Sequence, residues 1–178
     1  MGWLRNSSIR TKIWLLIGVA SLMMTVLAAV LIFNARSDLK TLRLAQAETA
    51  IEAARAIIRR HHSLVEQGEL SEKAAQRHVM DILRDFFYAN GEGYIAIMND
   101  DLVAVLHPAN PEFERFMGDL QDADGRFISR EAVEIGKTQS IGFNTYGFVH
   151  PITGEYDTKT SAIARFDPWD WTLLAGVF

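Results

Sequence analysis

Residues 141–178 read IGFNTYGFVHPITGEYDTKTSAIARFDPWDWTLLAGVF, and this stretch decides the fold. It holds three runs rich in β-branched and aromatic residues, IGFNTYGFVH, YDTKTSAIARF and WTLLAGVF. The hinge between the first two, Pro151-Ile152-Thr153-Gly154, has turn chemistry. Upstream lie two more short β-rich runs, GYIAIMNDD from Gly93 and LVAVLHP from Leu102. They predict a hairpin turning at Asn99-Asp100-Asp101, with Pro108 and Pro111 stopping its second run. Five strands in hairpin succession imply an antiparallel sheet.

What precedes the sheet is helical. Ser71 offers an N-cap for a helix whose apolar face is Ala75, His78, Val79, Ile82, Leu83 and Phe86. Before it, Leu44, Ile51, Ile58 and Val65 recur every seven residues, with Ala47, Ala54 and His61 three residues after the first three. This seam runs to Gly68, a C-cap. It suits either of two roles, packing on a partner subunit or covering the domain's own core. Shorter helical pieces are expected over EFERFM (112–117) and Ser129–Lys137, with a turn at Asp122–Gly125. The fold class is therefore α+β, a sheet with its helices on one side.

Ahead of the seam lies IWLLIGVASLMMTVLAAVLIF, Ile13 to Phe33, with no charge. As a helix it rises about 31 Å, matching a hydrocarbon core of about 30 Å. The hydroxyls of Ser21 and Thr25 find acceptors in the helix's own carbonyls. A cleaved signal peptide would have a shorter apolar region and a small-residue site beyond it, whereas Ala28-Ala29 lies inside the run. The expected organisation is a cytoplasmic leader (1–12), a transmembrane helix (13–33), a long membrane-proximal helix (34–68) and one domain (69–178). The leader's Arg5, Arg10 and Lys12 favour a cytoplasmic N-terminus, against Arg36, Lys40 and Arg43 beyond the span.

Removing the leader leaves a net charge of −7, which speaks against nucleic acid as a partner. There is no cysteine, hence no disulfide and no thiolate metal site. Catalysis finds no foothold, because no Gly-x-Ser-x-Gly elbow, phosphate-cradling loop or His-Glu-x-x-His occurs. Asp122 and Asp124 open like a calcium loop, but Arg126 and Val133 occupy later ligand positions, so a turn is expected. His61 and His62, being adjacent, point in different directions on a helix. No metal, cofactor or enzymatic activity is expected. What remains are polar residues within apolar strands: Tyr94, His107, Tyr146 and Lys159, with Phe148 as an apolar wall. Converging on one sheet face, they would suit a small anion such as a carboxylate.

In order and spacing these residues resemble the single Cache sensor domains of bacterial receptors, over about residues 34–178. The carriers are Arg84, Gly93-Tyr94-Ile95, Leu106-His107-Pro108 and Gly118–Gly125 (GDLQDADG). Next come Gly142-Phe143, Tyr146-Gly147-Phe148, Lys159, Trp169-Asp170-Trp171 and Gly176-Val177-Phe178. The resemblance implies a PAS-like five-stranded sheet outside the cytoplasmic membrane, reached by a helix continuous with the transmembrane span. It implies binding of small metabolites, often acetate, propionate or pyruvate, and a signal passed to a chemotaxis, kinase or cyclase module. Tyr94, His107, Tyr146 and Lys159 then become pocket residues, followed by Arg84, and a homodimer through the long helix is expected.

Three departures stand out. The hairpin turn has Asp100-Asp101 where the family usually has glycine. Ala162 replaces an aromatic frequent three residues after the lysine, with an enlarged pocket or a lost ligand contact as the expected result. The chain also stops at Phe178, where a receptor would enter a second span, so the cytoplasmic signalling module is expected to lie outside it. The rival reading is a structural or assembly protein of the cell envelope that docks protein partners; it would carry the seam but bind no small molecule.

Overall fold

A computed structural model describes residues 8–150 and 153–178, with the side chains of 35–38 left aside. The first seven residues with Arg5, the Arg36 side chain and Pro151-Ile152 of the expected turn lie outside the described residues. The chain divides into two compact units, Met1–Leu42 and Arg43–Phe178.

In the first unit the described residues are almost wholly helix α1 (Ile9–Glu66), whose later part belongs to the second. Its apolar side chains from Ile13 to Phe33 are exposed, and the helix is long and apolar enough to cross a membrane. The Thr25 hydroxyl donates to the Ser21 carbonyl at 2.9 Å, the internal satisfaction that hydrocarbon surroundings demand.

In the second unit α1 ends where Gly68 takes φ +73°, a left-handed conformation free of Cβ strain. The Gly68 N–H donates to the Val65 carbonyl at 2.9 Å, and the Glu69 N–H to that of Leu64 at 2.9 Å. Helix α2 (Glu72–Arg84) starts as expected, with the Ser71 hydroxyl accepting the Ala74 N–H at 3.3 Å. There follow β1 (Phe87–Tyr88), β2 (Gly93–Met98), β3 (Ala104–Leu106), α3 (Ile128–Thr138), β4 (Gly142–Val149), β5 (Tyr156–Phe166) and β6 (Trp171–Val177). The antiparallel sheet has the order β1-β2-β6-β5-β4, and β3 also pairs with β2. The five expected strands are present, and β1 adds a two-residue sixth. Of EFERFM only a 3-10 turn at Pro111–Phe113 forms.

The β2–β3 turn works without glycine because Leu102 itself adopts φ +60°. The strain is of order 1–2 kcal/mol, and local bonds offset it: Asn99 Oδ1 accepts the Val103 N–H at 2.9 Å. Asp100 in that turn pairs with Arg165 of β5 (2.5 Å) and Lys137 of α3 (3.2 Å). The aspartate thus ties the hairpin to two distant elements. Asp122 accepts the Asp124 and Arg126 N–H groups at 3.0 Å each, so the expected turn forms there.

Strand alternation splits the core in two. On one face Ile95, Ile97, Leu173 and Ala175 pack against Ile51, Ala54 and Ile58 of α1 and Val79 and Leu83 of α2. On the other, Met98, Ile163 and Leu174 pack against Ala132 and Val133 of α3 and against Met117. Two helices share a side as expected, and the third lies opposite. The seven-residue seam of α1 therefore covers the domain's own core, with Ala47, Ile51, Ala54 and Ile58 fully buried. His61 and His62 are drawn into the same packing: His61 Nδ1 bonds the Ile57 carbonyl at 2.9 Å, and the His62 ring lies 5.4 Å from that of Phe166.

Truncating Ile51 to Ala should accordingly lower the unfolding free energy by about 2–5 kcal/mol in urea titration. Unchanged stability with weakened self-association would instead return the seam to a subunit interface.

Candidate functional site

A cavity of about 50 Å³ lies between the α3 side of the sheet, the β2–β3 hairpin and the start of α3. One water occupies roughly 10–15 Å³ on this scale, so about three to five non-hydrogen atoms fit. Period-two alternation aims Tyr94 of β2, Tyr146 and Phe148 of β4, and Lys159 and Ser161 of β5 into it. His107 joins them from the end of β3. Five of the six residues singled out in the sequence line this cavity, and Arg84 does not.

Lys159 is the centre of the polar end. It is 4% exposed, and its Nζ donates to the Tyr94 hydroxyl at 2.7 Å. Around it stand aromatic rings, with centroids at 4.2 Å (Tyr94), 5.2 Å (Phe148) and 5.1 Å (Phe178). Among the described residues no carboxylate pairs with it. Burial therefore disfavours its charged form and brings its pKa from 10.5 down to about 7. Gly176 of β6 makes room for this side chain, because a Cβ there would collide with Lys159 Cε.

The other donors are ordered by the bonds behind them. His107 Nδ1 accepts the Asn110 N–H at 3.1 Å, which places the proton of the neutral ring on Nε2. Burial, aided by Lys159, lowers its pKa to about 4, so the ring is neutral near pH 7. Nε2–H then donates to the Tyr94 oxygen at 3.2 Å. With Lys159 charged, that oxygen accepts twice, and the Tyr94 O–H is left to donate into the cavity. Tyr94 stays protonated because burial pushes its pKa up. Tyr146 and Ser161 hydroxyls bond each other at 2.8 Å beside them. Met98, Ala104, Met117, Leu120 and Leu174 add apolar surface to the lining.

Arg84 acts from outside the cavity. Its guanidinium holds both oxygens of Glu114 (2.6 and 3.2 Å), and Glu114 Oε1 also accepts the His107 N–H at 3.1 Å. It fixes the backbone that carries His107. Ala162 needs correction: lying between Lys159-side residues Ser161 and Ile163, it points to the opposite face, fully buried in the α1–α2 core. It neither enlarges the cavity nor removes a contact from it. Phe113, 5.1 Å ring to ring from His107, and Ser129 were not legible as site residues. Both lie in segments whose only sequence signal is helical or turn-like.

The sequence model of the family Single Cache domain 2 matches residues 39–178. The chain is 28% identical, over its whole length, to the methyl-accepting chemotaxis protein McpP of Pseudomonas putida, and spans a third of that protein's length. A solved periplasmic sensor domain of a chemotaxis protein superposes with a TM-score of 0.71 at 24% identity, covering 75% of this chain and 93% of the other. A Cache chemosensory domain described for carboxylic acid recognition superposes at 0.70 with 27% identity, covering 78% and 97%.

Proton linkage gives the site a measurable signature. Between pH 7 and 10.5 the unfolded chain holds more protons on Lys159 than the folded chain does, so stability should rise with pH across that window. His107 behaves alike between its folded value of about 4 and its ordinary 6.5, so stability should fall as pH drops through that range. Urea midpoints measured in acid-free buffer should climb from pH 7 to 9, and Lys159→Met should flatten that limb. An unchanged slope in the variant would mean that Lys159 carries no such linkage.

Proposed function

The chain belongs to the single Cache domain family, and we propose that it is the membrane-anchored, extracytoplasmic input part of a chemotaxis-type receptor that binds a short monocarboxylate. The observation that supports this most is the donor set of the cavity: a buried ammonium without a carboxylate partner, beside a tyrosine hydroxyl whose own proton is unused. An entering carboxylate would supply the missing counter-charge, and charge-assisted bonds in such a site are about twice as strong as neutral ones. The volume of about 50 Å³ suits two- or three-carbon acids, with the alkyl end toward Met98 and Met117. Among the described residues no acidic side chain lines the cavity to receive an ammonium, which disfavours amino acids. The solved neighbour described for carboxylic acid recognition points the same way.

The apolar run Ile13–Phe33 serves as the anchor, in the inner membrane, with the domain on its outer side. McpP, three times as long, suggests a signalling module C-terminal to Phe178. Within the second unit a short route leads from ligand to α1. The Lys159 ammonium faces the Phe178 ring, and Arg43 of α1 donates to the Phe178 carbonyl at 2.6 Å. A ligand that moves Lys159 changes what this contact holds, which is the differential interaction a two-state receptor needs. Because the α1 seam is occupied internally, a second copy would pack on the outward face, around Ala45, Thr49, Glu52 and Ala56.

Thermal unfolding of the detergent-solubilised chain against acetate, propionate, pyruvate, dicarboxylates and amino acids tests this reading. An acid at 100 times its dissociation constant stabilises by about 2.7 kcal/mol, a shift of several degrees. Monocarboxylates should give it, and Lys159→Ala should abolish it while the chain stays folded. A folded chain that responds to no acid would instead favour docking of a protein partner.

A further inference from the structure

The first turn of α3 reaches the cavity wall uncapped. Phe127, at the N-cap, has no side-chain acceptor to offer. The Ile128 N–H goes to the Leu120 carbonyl (3.2 Å) and the Glu131 N–H to that of Phe127 (3.1 Å). Between them, the N–H groups of Ser129 and Arg130 have no acceptor among the described residues. These are the second and third helical positions, whose donors an N-cap side chain ordinarily takes, and they carry the positive end of the helix dipole.

Nearby acids and bases do not fill the gap. The Glu131 carboxylate is engaged by Arg126. The Arg130 side chain turns to the Gly118 carbonyl (2.8 Å) and to Asp119 (3.3 Å). An independent sign comes from the Ser129 side chain. It is 2% exposed and lines the cavity, and its hydroxyl has no hydrogen-bond partner among the described residues. Unlike the sealed and unpaired Thr172 hydroxyl, this one remains reachable, and the cavity that Ser129 lines can supply its partner. Lys159 and Tyr94 line the same small space from the sheet.

Resting on the acid-binding reading above, we propose that the Ser129 hydroxyl and the uncapped first turn of α3 form the second half of the anion site, holding one carboxylate oxygen while Lys159 and Tyr94 hold the other. A ligand bound this way adds a polar tie between α3 and the sheet beside the existing packing of Ala132 and Val133 on Ile163. The ligand's orientation follows as well, because the alkyl end is left to the methionine-lined wall.

Two variants of the full chain in detergent test the assignment, with propionate and lactate as calorimetric probes. Ser129→Ala removes the hydroxyl and should weaken propionate binding about tenfold. Phe127→Asp places a carboxylate at the N-cap, where it takes the Ser129 and Arg130 N–H groups for itself. That variant should raise the ligand-free melting temperature and also weaken propionate binding. Both acids present the same carboxylate, so the loss should be equal for the two. A loss confined to lactate would assign Ser129 to the acid's hydroxyl and overturn the proposal, as would unchanged propionate affinity in both folded variants. If the unaltered chain binds neither acid, the acid-binding reading falls and this proposal with it.

Discussion

The burial of one ammonium group, with no counter-ion among the described residues, organises this site. An isolated charge taken from water into a protein interior is strongly disfavoured, and usually either finds an acid or loses its proton. Lys159 is 4% exposed and has no acid beside it among the described residues. Its surroundings are instead the negative faces of three aromatic rings, a tyrosine oxygen and a backbone left bare by Gly176. Rings and hydroxyl stabilise the cation only in part, which is why its pKa falls to about 7. The imbalance is small enough for the domain to fold around it.

Much of the remaining structure holds that imbalance in place. Glu114 joins Arg84 of α2 to the His107 backbone, and the His107 ring in turn orients the Tyr94 hydroxyl. Asp100 ties the β2–β3 hairpin to Arg165 of β5 and Lys137 of α3, so the hairpin closing the cavity is held to the elements on either side of it. Phe178, just past β6, joins the same cluster, where Arg43 of α1 meets its carbonyl. The polar end of the cavity is thus connected to α2 through Glu114 and to α1 through Phe178.

Most of the fold was legible along the chain. The limits of β5, Tyr156–Phe166, coincide with the run read from composition, and α2 begins at the cap that Ser71 announces. These are local matters of capping, turn chemistry and apolar periodicity. The lining residues Tyr94, His107, Tyr146, Phe148 and Lys159 were legible too, because a polar or aromatic group within an otherwise apolar strand stands out, and because the resemblance grouped them. Ser129 did not stand out: a serine beginning a short helix is common, and only the missing acceptors around it give it meaning. Ala162 misled because spacing from Lys159 says nothing of face until odd and even positions on β5 are assigned to opposite sides.

The sequence by itself determined the elements, the apolar run at the N-terminus and the family, since each follows from side chains a few residues apart or from their order. Tertiary structure alone decided which surfaces those elements use. The heptad seam of α1 admits a partner helix or the domain's own sheet, and the packing of Ile51, Ala54 and Ile58 against β2 and β6 selected the sheet. Likewise the pairing of β5 with β6, in a register that sets Thr160 opposite Val177 and Ser161 opposite Gly176, makes room for Lys159 across the glycine. Register and facing depend on contacts between residues far apart in the chain, and no local pattern encodes them, because their free energy exists only once the strands have met.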